Sequence, residues 1–402
     1  MSKVLFFHFF DTGHINPTIP LINELTSKGE EIICYIIHGT EIKFNNMNCE
    51  IKYYDERINS LNADLHLKVK NFVDAIPYWY KINILLIPEA IDEIRKQKPD
   101  YIIFDSLCYW AKAAADATGI PNISSSTIFP SLTEDFVSYC NILTNTNIEN
   151  FYNNDLTEMS DFLYSKYGID NFQPYNLFSN YGDMTLVYTS VQFQPKGNLF
   201  DRSFRFVGTS ISGRAEDHSI SFDKYSDKKL IYTSLGTLFN NDEFAYAFYN
   251  ICFDAFKNES NYQVIMSVGN QTNIAEIKGI PDNFALYNHV PQLDVLKKTD
   301  LFITHGGMNS VNEALYFGVP MIAFPIGLDQ PLVARQVENV NAGLMLSLND
   351  LSPTELNDKS TQVLSNTIYK TSSEQIGHTL KTHEGYLTAA EEILQFKSKN
   401  QI

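Results

Sequence analysis

No run of eighteen or more apolar residues occurs in this chain, so no segment reads as a membrane-spanning helix. Cysteine is sparse. The five cysteines (Cys34, Cys49, Cys108, Cys140 and Cys252) are odd in number and widely spaced, with no C-x-x-C. A disulfide framework and a structural zinc site are therefore not expected, and a reducing cytoplasm fits best. Basic residues are outnumbered: 30 Lys and Arg stand against 47 Asp and Glu, a net charge of -17. A surface this acidic argues against general nucleic-acid binding and against adhesion to anionic membranes. The phosphate fingerprints G-x-G-x-x-G and G-x-x-x-x-G-K-[ST] are missing, and so is a metal-holding D-x-D.

What is there is apolar and patterned. Of 402 residues, 44% are hydrophobic and 19% charged, enough for real cores and comfortable for two domains. The opening "MSKVLFFHFFDTGH" does not read as a signal peptide: His8 and Asp11 break its apolar run and no small-residue cleavage site follows. It reads as a buried strand, "KVLFFHFF". A helical stripe follows (Ile19, Leu21, Ile22, Leu25, closed by Gly29), then a second buried strand, "EIICYIIH". Strand, helix, strand at this spacing is a βαβ unit and implies a parallel sheet.

The same unit recurs. "PDYIIFDSLCYWAKAAADATGIPNISS" (99–125) and "TDLFITHGGMNSVNEALYFGVPMIAF" (299–324) each run Asp, strand, polar turn, amphipathic helix, Gly-Ile/Val-Pro, strand. The copies lie about 200 residues apart, which favours two domains of like architecture. The expected fold is therefore α/β, with two Rossmann-like doubly wound parallel sheets facing a cleft. The first domain is expected at 1–211 and a polar linker at 212–229. The second domain should span 230–385, and a final amphipathic helix within 386–402 is placed to pack back on the first domain.

Open α/β sheets bind ligands beyond the carboxyl ends of their strands. The residues there are His14, Asp105, Ser234 to Thr237, and His305 onward. In "THGGMNSVNEAL" two glycines lead into a helix whose free N–H groups and dipole suit an anion. Asn309 and Ser310 can cap that helix or donate to phosphate, and Glu313, a turn later, suits two ribose hydroxyls. Each piece alone is also an ordinary turn or cap.

The longer run over residues 289–330, within "NHVPQLDVL" through "GVPMIAFPIGLDQ", resembles the donor-binding signature of family 1 nucleotide-sugar glycosyltransferases. The bacterial macrolide glycosyltransferase branch, of GT-B fold, is the nearest likeness. "GHINPT" and "YTSLGT" extend it more loosely along the chain. The resemblance implies that His305, Asn309 and Ser310, with Gly307 at the turn, hold the diphosphate, while Ser234, Gly236 and Thr237 close on it. It implies that Glu313 takes the ribose hydroxyls with Gln292, and that Asp329 and Gln330 bond the transferred sugar. His289 stands where many relatives stack Trp under uracil, and Val290 would offer its backbone to the base edge.

An inverting transfer needs a base for the acceptor hydroxyl, and histidine's pKa suits it. His14 is the candidate, with Asp105 fixing its tautomer as in serine-hydrolase triads. Gly13 is expected to allow the sharp exit from the strand, and Pro17 to sit in the first helical turn. Asp105 alone would read equally well as a helix cap. His8, inside the first strand, reads as core. The aromatics Tyr78, Trp79, Tyr80, Phe129, Phe136 and Tyr139 suit either an apolar acceptor pocket or a core.

The expectation is an inverting UDP-sugar glycosyltransferase with no metal and no other cofactor. UDP-glucose is the expected donor. The acceptor would be a hydroxyl on a macrolide, flavonoid or other phenolic, and the enzyme a monomer. The rivals are a nucleotide-sugar 2-epimerase of the same architecture and a non-catalytic nucleotide-sugar-binding accessory protein.

Overall fold

A computed structural model of the chain describes residues 2–45, 47–68, 72–131, 154–170, 172–173, 176, 179–211, 227–236 and 243–402. Thr237, Phe136, Tyr139, Cys140 and nearly all of the expected 212–229 linker lie outside the described residues. The chain forms two compact units. The first comprises Met1–Val191, Lys196–Ser212 and His383–Ile402; the second comprises Gln192–Pro195 and Gly213–Thr382.

In the first unit the strands are β1 (Lys3–Phe7), β2 (Glu31–Ile36), β3 (Glu50–Tyr53), β4 (Tyr101–Asp105), β5 (Asn122–Ser126), β6 (Met184–Val187) and β7 (Phe204–Phe206). They pair in the order β3-β2-β1-β4-β5-β6-β7, every pairing parallel. In the second unit, β8 (Lys229–Ser234), β9 (Tyr262–Ser267), β10 (Phe284–Tyr287), β11 (Leu301–Thr304), β12 (Met321–Ala323) and β13 (Gly343–Met345) pair in the order β10-β9-β8-β11-β12-β13, again parallel. Both sheets reverse direction of winding beside their first strand, so each has its switch point between the first and fourth strands, where such sheets bind ligands.

Both faces of the first sheet are covered, which is why its strands are apolar throughout rather than alternating. Leu5, Phe7, Ile33, Tyr35, Ile102 and Phe104 enter one core. Val4, Phe6, Ile32, Cys34, Tyr101 and Ile103 enter the other, where Ala389, Ile393 and Phe396 of the last helix (Tyr386–Asn400) join them. That helix is fastened by a buried ion pair between Lys397 and Glu30, whose second oxygen accepts from Tyr101 Oη at 3.1 Å.

The repeated Asp of the two echoing segments has a physical reason. Asp100 accepts the backbone N–H of Lys3, which opens β1, at 2.7 Å, and Asp300 accepts that of Leu230 in β8 at 2.9 Å. Each carboxylate thus satisfies an edge donor of the neighbouring first strand. Each following helix ends on a left-handed glycine, Gly119 and Gly318, both at φ 67°.

Three local expectations need correcting. Strand β1 stops at Phe7, so His8 lies just past it, although its backbone still donates to Tyr35 at 3.1 Å. The segment after Asp11 is a helical turn, Thr12–Ile15, with Asp11 as its cap, accepting from Gly13 N at 2.8 Å. Gly13 is therefore helical, and its place needs no left-handed freedom. Pro17 precedes the next helix, Thr18–Ser27, as its N-cap rather than standing in its first turn.

Candidate active site

The carboxyl ends of β1, β4 and β5 converge on one imidazole. His14 follows β1, held by the capped turn that Asp11 closes. Asp105 ends β4 beside it, because β1 and β4 are direct neighbours in the sheet. His14 Nδ1 lies 2.8 Å from Asp105 Oδ2. The carboxylate's other oxygen accepts the N–H of Leu107 at 2.9 Å, which fixes its plane. The Asp105 side chain is only 3% exposed and that of His14 15%. A carboxylate only accepts, so Nδ1 carries the proton, and in the neutral ring the lone pair is then at Nε2.

A third partner was not expected from the sequence. Thr127, one residue beyond β5, places Oγ1 2.8 Å from the same Nδ1. Its only sequence signal was position, just after the strand "NISSS". Phe9 packs its ring 5.2 Å from the imidazole. His8 takes no part in this cluster: it is buried, stacked at 4.1 Å on Phe6, and its Nε2 has no hydrogen-bond partner among the described residues. Burial lowers its pKa to about 3, so it is a neutral core residue.

The second unit repeats the arrangement at its own switch point. Ser234 ends β8 and His305 follows β11, the neighbouring strand. The two glycines after His305 serve different ends. Gly306 needs the left-handed region, at φ 84°. Gly307 is extended and stands at the position before the helix Met308–Tyr316. A Cβ on Gly307 would come 2.5 Å from His305 Nε2, and one on Gly236 would come 2.5 Å from His305 Cε1. The imidazole is thus gripped between two backbones that only glycine permits. Its Nδ1 is buried without a hydrogen-bond partner among the described residues. Burial lowers its pKa to about 4, against the opposing pull of a hydrogen bond to the Ser234 backbone. His305 is accordingly a neutral hydrogen-bonding group rather than a cation.

The helix Met308–Tyr316 has no side-chain cap, so Asn309 and Ser310 stand in its first turn beside uncapped N–H groups. Glu313 is on the same face. Gln292 Nε2 donates to Glu313 Oε2 at 2.6 Å and lies 3.4 Å from Ser310 Oγ. Gln292, Ser310 and Glu313 are therefore one cluster. The sequence reading missed Tyr232, whose hydroxyl donates to Gln292 Oε1 at 3.0 Å. Val290 is buried and His289 exposed.

Asp329 and Gln330 begin the helix Gln330–Asn339. Gln330 turns its Oε1 inward, onto the N–H groups of Ile326 at 2.8 Å and Gly327 at 3.1 Å. That oxygen braces its own loop, so only its amide N–H groups retain donors for a sugar. Among the aromatics considered for an acceptor pocket, Trp79 and Phe129 are buried, and Trp79 belongs to the core. Tyr78 and Tyr80 pack partly exposed against that core.

Residues 258–383 match the family model described as "Erythromycin biosynthesis protein CIII-like, C-terminal domain". A Bacillus subtilis protein named as the uncharacterized UDP-glucosyltransferase YojK is 32% identical over 406 aligned positions, covering 100% of this chain and 99% of that protein. The NDP-glycosyltransferase YjiC of the same organism is 30% identical, covering 97% of this chain and 96% of its own. The solved structure of the glycotransferase of kitacinnamycin superposes with a TM-score of 0.83 at 22% identity, covering 98% of both chains.

Proposed function

The chain belongs to the bacterial family 1 glycosyltransferases of GT-B fold and is an enzyme of that class, and from this premise we propose that it moves a hexose from a UDP-sugar to a hydroxyl of a small hydrophobic natural product, with inversion. The observation that carries the chemistry is the 2.8 Å contact of His14 with Asp105 at the end of the first sheet's central strands. The Nε2 lone pair of His14 takes the acceptor's hydroxyl proton as that oxygen bonds to the anomeric carbon. The bond from the anomeric carbon to the diphosphate oxygen breaks, and UDP leaves with the electron pair. The imidazolium so formed is stabilised by Asp105.

In this reading the second unit holds the donor. The uncapped start of the helix Met308–Tyr316 faces the diphosphate with N–H groups and the positive end of its dipole, Asn309 and Ser310 add donors, and Ser234, Gly236 and Thr237 close the loop around it. Neutral His305 contributes a hydrogen bond, so the charge on the leaving group is met by backbone dipoles. In this reading a chain of net charge -17 binds an anion because the field at the site is local. Glu313 and Gln292 take the ribose, His289 and Val290 the base, and Asp329 and Gln330 the sugar. UDP leaves as an acidic diphosphate, so no metal is needed, and a full rate in EDTA is expected. UDP-glucose is the proposed donor; the relatives named for UDP-glucose and for nucleotide sugars support that choice. A macrolide, flavonoid or other phenolic is the proposed acceptor, and the enzyme is proposed to work in the cytoplasm. The oleandomycin glycosyltransferase of Streptomyces antibioticus, 25% identical over 82% of this chain, supports the natural-product class.

The test is incubation with UDP-glucose and a panel of macrolide and phenolic acceptors, read by mass for the gain of one hexose. His14→Ala should abolish the gain. Undiminished transfer by that variant removes His14 as the base, and UDP binding without transfer to any acceptor overturns the reading.

A further inference from the structure

We propose that Thr127 is a positioning residue for His14: its hydroxyl oxygen shares the Nδ1 proton with Asp105 and keeps the imidazole turned with its lone pair at Nε2. This rests on the proposed role of His14 as base.

The two contacts at Nδ1 constrain each other. Asp105 Oδ2 and Thr127 Oγ1 both lie 2.8 Å from that one atom. Because the carboxylate cannot donate, the proton is on Nδ1, and Thr127 can only be a second acceptor of it. The hydroxyl could instead donate to a bare Nδ1, but that would put the proton on Nε2 and leave Asp105 facing a lone pair. Asp105 therefore decides the tautomer, and Thr127 decides the orientation.

Two acceptors hold the ring more firmly than one. Turning the imidazole over would break both bonds at once, in a place where Thr127 is 4% exposed and Asp105 2%, with little water to replace either. The arrangement also favours the product of proton abstraction. Once Nε2 has taken the acceptor's proton, the positive ring keeps two oxygens on Nδ1–H rather than one. The placement is a consequence of strand order. β5 pairs with β4 on the side away from β1, so the residue beyond β5 approaches the imidazole from the flank opposite the chain that carries it.

Two substitutions separate the hydroxyl from the methyl. Thr127→Val keeps the branched shape and removes the oxygen; Thr127→Ser keeps the oxygen and removes the methyl. The readout is the Nδ1-bound proton of His14 in full-length protein with ring-labelled histidine, assigned by its absence in His14→Gln. In Thr127→Val this resonance should shift and exchange faster with water, and in Thr127→Ser it should stay. With UDP-glucose and the acceptor that gains most hexose in the panel above, kcat should fall roughly 3- to 10-fold in the Val variant, with KM for UDP-glucose unchanged. The Ser variant should stay near the parent. The reverse order, or a Val variant identical to the parent in its Nδ1 proton, makes Thr127 a packing residue and overturns the proposal. The proton is read without turnover, so a shift in Thr127→Val together with full transfer by His14→Ala would sink the base while leaving the positioning intact.

Discussion

The hydroxyl of Tyr232 donates to Oε1 of Gln292 at 3.0 Å, and the same amide donates from Nε2 to Glu313 at 2.6 Å. The first bond sets the second. A phenol donating to the oxygen leaves only the nitrogen to face the carboxylate, so the amide has one orientation. Tyr232 is buried and its ring stacks at 4.8 Å on Phe302, so Phe fits in its place. Tyr232→Phe should leave the fold intact and let the amide turn, misplacing the Glu313 carboxylate. If this pair takes the ribose, KM for the UDP-sugar should rise roughly 3- to 10-fold with little change in kcat. An unchanged KM would remove Tyr232 from donor binding.

Asp105→Asn gives a sharper test of the base than deletion. Leu107 N–H requires an acceptor, so the new amide oxygen stays on Leu107 and the new NH2 faces His14 Nδ1. A donor there forces the imidazole proton onto Nε2. The expected loss in kcat is about 100-fold or more, at near-native stability. Activity within a few-fold of the parent would show that tautomer control does not matter here.

Two buried histidines should make stability fall in acid. Burial lowers His8 to about 3 and His305 to about 4, below the unfolded value near 6.5. Between those values the unfolded chain binds protons that the folded chain does not. Stability is therefore full above about pH 6.5 and declines as the pH falls toward 4 and 3. His8 Nε2 has no hydrogen-bond partner among the described residues, and the ring already stacks on Phe6. His8→Phe should raise Tm at pH 5 more than at pH 7.5. Equal changes at both pH values would show that His8 is not a source of the acid sensitivity.

The ion pair of Lys397 with Glu30 should be a staple of the first unit. Both side chains are buried, and Tyr101 supplies Glu30 with a further donor. Lys397→Met leaves a buried carboxylate without its cation, so urea unfolding should show a loss of about 3–5 kcal/mol. Glu30→Gln in addition should recover part of that loss. A Met variant as stable as the parent would mean that the last helix is held by its apolar face alone.

Much of this was legible in the sequence because it is local. Buried strands, amphipathic helices and the glycines that end them each answer to a few neighbouring residues, and the echo of Asp100 in Asp300 marked two like units. The run from His305 to Gln330 carried its own spacing. What surrounds these features was set by strand order. Asp105 meets His14 across 91 residues, and Thr127 meets the same His14 across 113, because β1, β4 and β5 end side by side. Tyr232 reaches Gln292 across 60, and Lys397 reaches Glu30 across 367. Periodicity records which face of an element is buried; it carries no record of which distant side chain shares that burial. The sequence by itself determined the elements, their parallel pairing and the histidine at the strand's end. Only the tertiary structure decided that Thr127, one residue beyond β5, joins Asp105 at that histidine's Nδ1.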